Sequence, residues 1–198
     1  MPAEHALLGL LAMADGGASH GYDLARSFAD GQPLGDVLRL EPGMLYHHLK
    51  KLEKSGWIES ATEAQAARPA RRTHRLTETG REELERWFAE PVAHTREIRL
   101  EFLVKLHFVR ALDQARVPLL ICEQREVLER LAGSLERQLA GVAREAGGTD
   151  RDYRRAVLEL RLAQTRAAID WLVSSAPLFG IIAESTDPAQ RGERLPGR

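Results

Sequence analysis

Four lysines occur in this 198-residue chain, and three of them, Lys50, Lys51 and Lys54, stand together in the segment PGMLYHHLKKLEKSG that runs from Pro42 to Gly56. Elsewhere the chain uses arginine almost exclusively for positive charge, so the placement is hard to ascribe to composition. Tyr46, His47, Lys50 and Lys54 fall at i, i+1, i+4 and i+8, which on a helix gathers them on the face opposite Leu45, Leu49 and Leu52. From such a face, ammonium and imidazole groups reach phosphate oxygens or base edges, and a tyrosine donates to a phosphate or stacks its ring. Between Arg39 and Arg75 eight basic residues, among them Arg68, Arg71, Arg72 and Arg75, stand against four acids, a local net of +4 in a chain of net charge -1. The chemistry implied is contact with a polyanion through one patch, since overall charge excludes a uniformly basic coat. A merely solvated helix face is the alternative, and the order of the surrounding elements weighs against it.

Other chemistries find little support. The seven histidines (His5, His20, His47, His48, His74, His94 and His107) include no His-Glu-x-x-His and no Cys/His cluster, so neither a metal nor a cofactor is expected. Ser19-His20 is the one serine–histidine neighbour pair, without Gly-x-Ser-x-Gly or a glycine-rich phosphate loop, and the chain is not expected to be an enzyme. A helical-bundle enzyme built on His107 and Glu101 would need a polar cluster that the second half of the sequence does not supply. Cys122 lies in the apolar run Val117 to Cys122 and suits a small packed side chain in a reducing cytoplasm. Trp87, Phe102, Phe108 and Trp171 are candidates for an effector pocket, though aromatics at helical spacing are more often core.

The elements that must position the basic patch follow from periodicity. Ala6 to Ala14 has the length of a signal-peptide apolar region, but Glu4 and His5 precede it and no Lys or Arg occurs before Arg26, so it reads as a buried first helix ended by Gly16 and Gly17. A second helix spans GYDLARSFAD, residues 31 to 40 form a turn and connector, and Pro42 opens a third helix that Gly56 stops. Trp57 to Thr62 and Arg72 to Leu76 then read as a β-hairpin with a long basic tip. Thr79 and Glu82 have capping-box spacing for a fourth helix ending near Glu90, with Pro91 as a boundary.

Beyond Pro91 only helical patterns occur. They cover residues 95 to 112, 118 to 146 and 151 to 175, with Gly147-Gly148-Thr149 as the turn between the last two, each roughly 35 to 45 Å long at the helical rise. Leu128, Leu131, Leu135 and Leu139, with Leu158, Leu162, Ile169 and Leu172, form coiled-coil-like seams that pair the last two helices antiparallel and, offering more apolar surface than one pair can bury, are expected also to hold two chains together. Trp171 to Ala183 is too short and too interrupted to span a bilayer, and the tail from about Ser185 is expected to be loose.

A third helix followed directly by a basic hairpin is the arrangement of a winged helix. HGYDLARSF, EPGMLYHHLKKLEKSGWIES and RRTHRLTETGREEL together resemble the PadR family of winged-helix transcriptional regulators: a Gly-Tyr opening helix two, a Leu-Tyr-x-x-Leu-x-x-Leu-Glu-x-x-Gly recognition helix, and an Arg-rich wing followed by Leu-Thr-x-x-Gly. The resemblance covers residues 5 to about 90. It implies DNA contacts at Tyr22, Tyr46, Lys50, Lys51, Arg71 and Arg72, to which His47 and Lys54 are added from their face of the helix. Met44 stands where the family commonly has a small hydroxyl residue, and His47 where proline is frequent. The helical second half resembles the larger branch of the family, in which those helices form a homodimer.

The expected architecture is therefore mainly α: a winged helix-turn-helix of three helices plus a hairpin wing over residues 1–90, then an all-helical dimerisation and effector-sensing domain over 91–198. The expected function is a homodimeric, cytoplasmic transcriptional regulator that binds a palindromic double-stranded operator, acts as a repressor and is relieved by a small hydrophobic or aromatic effector. A winged helix kept as a protein-interaction module without DNA binding is the alternative.

Overall fold

A computed structural model describes residues 2–65, 68–144 and 148–180, with the backbone alone for residues 63–65 and 68–71. The first helix, α1 (Pro2–Met13), is buried over most of its length, from Glu4 to Gly9 and again at Leu11. It stops where Gly16 and Gly17 take φ of +64° and +68°, a left-handed backbone that glycine adopts without steric cost. A short strand β1 (Ala18–His20) leads into α2 (Gly21–Arg26).

The stretch expected to be only a turn and connector contains a helix, α3 (Pro33–Val37). Five residues are too few to show periodicity; Pro33 starts the turn, Leu34 is buried, and Gly35 lies so close to the Ala29 carbonyl that a β-carbon there would come within 2.1 Å. Then α4 (Pro42–Lys54) runs as expected from its proline start, with Leu45, Leu49 and Leu52 buried and Gly56 turning the chain at φ +74°.

The hairpin strands, β2 (Ile58–Gln65) and β3 (Arg68–Leu76), are longer than the sequence pattern indicates and pair antiparallel from Ile58 opposite Leu76 to Gln65 opposite Arg68. Because β1 pairs with the other side of β3, the sheet has three strands in the order β1-β3-β2. Ala-Ser-His carries no alternation or β-branching, so nothing in that tripeptide announced a strand.

Helix α5 (Glu78–Ala89) is capped by Thr77, whose hydroxyl accepts from the Gly80 amide at 3.1 Å. The capping box expected from Thr79 and Glu82 does not form; the Thr79 hydroxyl donates instead to the Gly56 carbonyl at 2.9 Å, tying α5 to the end of α4. The single helix expected over 95–112 is divided into α6 (Thr95–Glu97), a π-helical turn (Ile98–Phe102) and α7 (Leu103–Leu112). The long pair α8 (Val117–Val142) and α9 (Thr149–Ser175) packs side by side, with Arg166 reaching Glu136 at 2.7 Å. The expected turn falls partly on residues 145–147, and the expected loose tail on 181–198, both outside the described residues.

The core is not partitioned at residue 90. One apolar cluster runs from Leu7, Leu45 and Ile58 through Trp87 to Phe102, Phe108, Leu128 and Leu172, and α7 fits so closely that a β-carbon on Gly9 would lie 2.6 Å from the Phe108 ring. A second, smaller cluster of Ala132, Leu135, Val142, Leu158 and Leu162 fills the far end of the α8–α9 pair. Here one expectation needs correction. Leu128, Leu135, Leu158, Leu162 and Leu172 are buried within the single chain, and Leu131, Leu139 and Ile169 pack partly against them, because α8 and α9 each supply the other's apolar partner. The apolar side chains these helices leave exposed are others: Leu119, Tyr153, Val157, Leu160 and Val173. Among the described residues no helix is long and apolar enough to cross a membrane.

Candidate nucleic-acid interface

Packing Leu45, Leu49 and Leu52 inward turns the opposite face of α4 to solvent, and Tyr46, His47, Lys50 and Lys54 are all exposed there. Tyr22, at the start of α2, is the most open aromatic of this half at 70% exposure. Gly21 allows the two tyrosine-bearing helices to meet, since a β-carbon there would sit 2.8 Å from the Tyr46 ring. Between them, β1 and the wing lies a cleft of about 480 Å³ lined by His20, Tyr22, Asp23, Tyr46, Arg72 and His74.

Two of the expected basic contacts, Lys51 and Arg72, are already engaged. The Lys51 ammonium donates to Glu4 at 2.7 Å, and His48 Nδ1 lies 3.2 Å from the same carboxylate oxygen. Lys51, a DNA contact implied by the resemblance, is half of an ion pair between α1 and α4, with its side chain half exposed. Glu4 is 4% exposed; burial by itself would raise its carboxyl, but the bonds from Lys51 and His48 hold it below the usual carboxylate range. No local pattern joins Glu4 to helix α4, because Glu4 and Lys51 are 47 positions apart.

On the wing, Arg72 Nη2 donates to both carboxylate oxygens of Glu53, each at 2.8 Å. Glu53 is another residue the sequence reading passed over. Arg71 is placed by its backbone opposite Glu63, and its side chain lies outside the described residues. Deeper in the sheet, Ser60 Oγ is 2.9 Å from His74 Nδ1, and burial, then the neighbouring Arg72 charge, pull the His74 imidazole below its ordinary value. Arg75 donates to the Gly16 carbonyl at 2.9 Å and so fastens β3 to the turn before β1.

A separate cavity of about 570 Å³ opens in the helical half, lined by Thr95, Arg96, Ile98, Arg99, Leu103, Gln164, Ala168 and Trp171. Its neighbour, about 400 Å³, shares Thr95, Arg96 and Gln164 and adds His94, Arg161 and Thr165. Of the four aromatic candidates for an effector pocket, Trp171 alone lines this cavity. Phe102 is fully buried edge-on to Trp171, Phe108 lies against Gly9, and Trp87 stacks on His5 with ring centroids 4.6 Å apart and donates from Nε1 to Glu101 at 2.9 Å. These three are core, because the first apolar cluster extends through them. Beside Trp87, Lys105 is buried, its ammonium donating to the Glu90 carbonyl at the end of α5 and lying 5.0 Å from the indole centroid. Desolvation pulls this ammonium down to about 8. Among the described residues no group of three His, Cys, Asp or Glu side chains is placed to hold a metal ion.

Residues 10–86 match the family described as "Transcriptional regulator PadR-like family", and residues 98–177 match "Virulence activator alpha C-term". The chain is 30% identical over 168 residues to "Probable transcriptional regulator Rv1176c" of Mycobacterium tuberculosis, covering 78% of this chain and 87% of that protein. It is 27% identical over 177 residues to "Negative transcriptional regulator PadR" of Bacillus subtilis, covering 86% of this chain and 93% of that one. Among solved structures, it is similar to Bacillus subtilis PadR in complex with operator DNA, at 23% identity and a TM-score of 0.42 over 89% of this chain and 98% of that one. The same protein in complex with p-coumaric acid matches at 22% identity and a TM-score of 0.37 over 91% of this chain and 98% of that one.

Proposed function

Because the chain belongs to the PadR-like family of transcriptional regulators, we propose that it is a homodimeric repressor that binds a palindromic double-stranded operator through residues 1–90 and is released by a small aromatic effector. The observation that carries DNA binding is the exposed row Tyr46, His47, Lys50 and Lys54 on a helix whose other face is fully packed, with Arg72 of the wing beside it. Such a helix enters a major groove while the wing reaches an adjacent backbone or minor groove. Lys50 and Tyr46 read or position at the base edges, Tyr22, His47 and Lys54 hold phosphates, and Arg71 and Arg72 follow the neighbouring groove. Lys51 contributes by fixing α4 on Glu4.

The helical half, residues 91–198, joins two copies through the exposed side chains of α9, where Tyr153, Val157 and Leu160 recur at helical spacing. Repression follows the description of the Bacillus subtilis relative as a negative regulator. For the effector, support comes from a cavity that joins the Trp171 ring to Arg96 and Arg99, a combination suited to an aromatic carboxylate. An effector acts by favouring a dimer whose half-site separation no longer matches the operator.

The test is selection of bound duplexes from a random-sequence library, followed by affinity measurement at several salt concentrations. Log K is expected to fall against log salt with a slope of about -0.9 per phosphate contact. A flat salt response overturns DNA binding and leaves the interaction-module reading. p-Coumaric acid, titrated by Trp171 fluorescence and against the protein–duplex complex, is the first probe for the effector site.

A further inference from the structure

Glu53 stands on α4 seven positions beyond Tyr46, so both belong to the same side of that helix two turns apart. An acid on the DNA side of a recognition helix is unfavourable on charge alone, because it repels the phosphates the neighbouring lysines attract. The geometry around it gives it a task. Both 2.8 Å contacts from Arg72 are made by one nitrogen, Nη2. A guanidinium carries five N–H donors in a fixed plane, so the Nη1 and Nε hydrogens remain for another acceptor. The Arg72 side chain is 51% exposed and at the same time lines the cleft with His20, Tyr22 and Tyr46.

Resting on the DNA-binding reading above, we infer that Glu53 is a positioning residue for operator binding: it clamps Arg72 of the wing so that the remaining guanidinium donors face the Tyr22–Tyr46 cleft, where a backbone phosphodiester of the operator seats. An arginine on a wing strand otherwise samples many rotamers, and ordering it on arrival of DNA costs affinity that the clamp supplies in advance. The acid also fixes the wing to the far end of α4, so helix and wing meet the duplex as one unit.

The experiment measures affinity of the full chain for a 30-base-pair duplex enriched by the wild type from a random library, with Glu53→Ala, Glu53→Gln and Arg72→Ala and the double variant Glu53→Ala/Arg72→Ala. Glu53→Ala is expected to weaken binding about threefold to tenfold, the scale of ordering one long side chain, although it removes a negative charge near DNA. Glu53→Gln, which keeps an acceptor, should recover part of that loss. With Arg72 already alanine, removing Glu53 should leave affinity unchanged or slightly raised. Thermal unfolding should stay near wild type for every variant, as the pair is solvent-exposed. Tighter binding of Glu53→Ala in both backgrounds makes Glu53 a plain repulsive charge and overturns the inference. Tighter binding only when Arg72 is present makes it a competitor for the arginine and overturns it equally. A wild type that enriches no duplex removes the DNA reading itself, and this inference with it.

Discussion

The winged-helix half and the far end of the helical pair are held together by different physics. Around α1, buried polar groups make directional bonds between helices: Glu4 to Lys51 and His48 of α4, and His5 to Glu83 of α5, whose carboxyl is held low by His5 and Arg86 despite burial. At the far end of α8 and α9 the buried cluster is apolar, with Thr165 as the one buried polar side chain of α9 before Ser175 among the described residues, and ion pairs such as Arg155–Glu159 and Arg166–Glu136 lie in solvent. Apolar packing sets how close two helices come but is nearly indifferent to small rotations, whereas a carboxylate between a lysine and a histidine fixes orientation. The half that must present a row of side chains in a fixed direction is the half that uses directional bonds.

Four perturbations break or sharpen that contrast. The largest effect is expected from Leu135→Asp, which places an unpaired charge in a fully buried apolar site and should cost about 3–5 kcal/mol or unfold the helical pair, read by urea denaturation. Next is Glu4→Gln, which leaves Lys51 and His48 without their anion and should cost about 1–3 kcal/mol. Its signature is pH: the folded carboxyl titrates lower than the unfolded one, so its contribution is complete above the ordinary carboxylate range and lost as pH falls through the depressed folded value. The wild type should accordingly lose its advantage over Glu4→Gln as pH falls through the depressed carboxyl value, whereas the penalty of Leu135→Asp should already lessen at higher pH, because burial raises the titration of its unpaired carboxyl; equal pH profiles for wild type and Glu4→Gln would undo the contrast.

Third, Lys50→Ala should weaken a selected operator by about 1–3 kcal/mol and relax preference at one position in each half-site, while Arg71→Ala with Arg72→Ala weakens selected and scrambled duplexes alike and lowers the salt slope. Equal losses on both duplexes for Lys50→Ala would make it a positioning contact. The smallest effect belongs to Arg166→Ala, which breaks an exposed pair and should shift stability by less than about 1 kcal/mol in thermal melts.

What could be read from the sequence divides along the same line. Helices α4, α5, α8 and α9 and the wing were legible because periodicity, Pro42 and Gly56 are local signals, and the exposed face of α4 followed from its leucines. The clamps were not, since Glu4–Lys51 and Glu53–Arg72 join residues 47 and 19 positions apart with no pattern linking them. The pairing of α8 with α9 was legible from their leucine stripes and short connection, but periodicity does not say how much of a stripe the partner helix covers, and the seam leucines prove to be covered within the chain. For the aromatics the sequence favoured core over a pocket, and Trp87, Phe102 and Phe108 are core; that Trp171 also lines a cavity was not legible, as an aromatic at helical spacing fits either surrounding.

The close seat of Phe108 on Gly9 has a practical consequence for anyone recombining regulators of this kind. A chimera joined at Pro91 would hand one parent's α1 to another parent's α7, and the missing β-carbon on one side would have to match the ring on the other. The transferable module therefore ends after Leu112, not at the proline, and grafts that carry α7 along with the wing should express and melt as the parent does, while grafts cut at Pro91 should not.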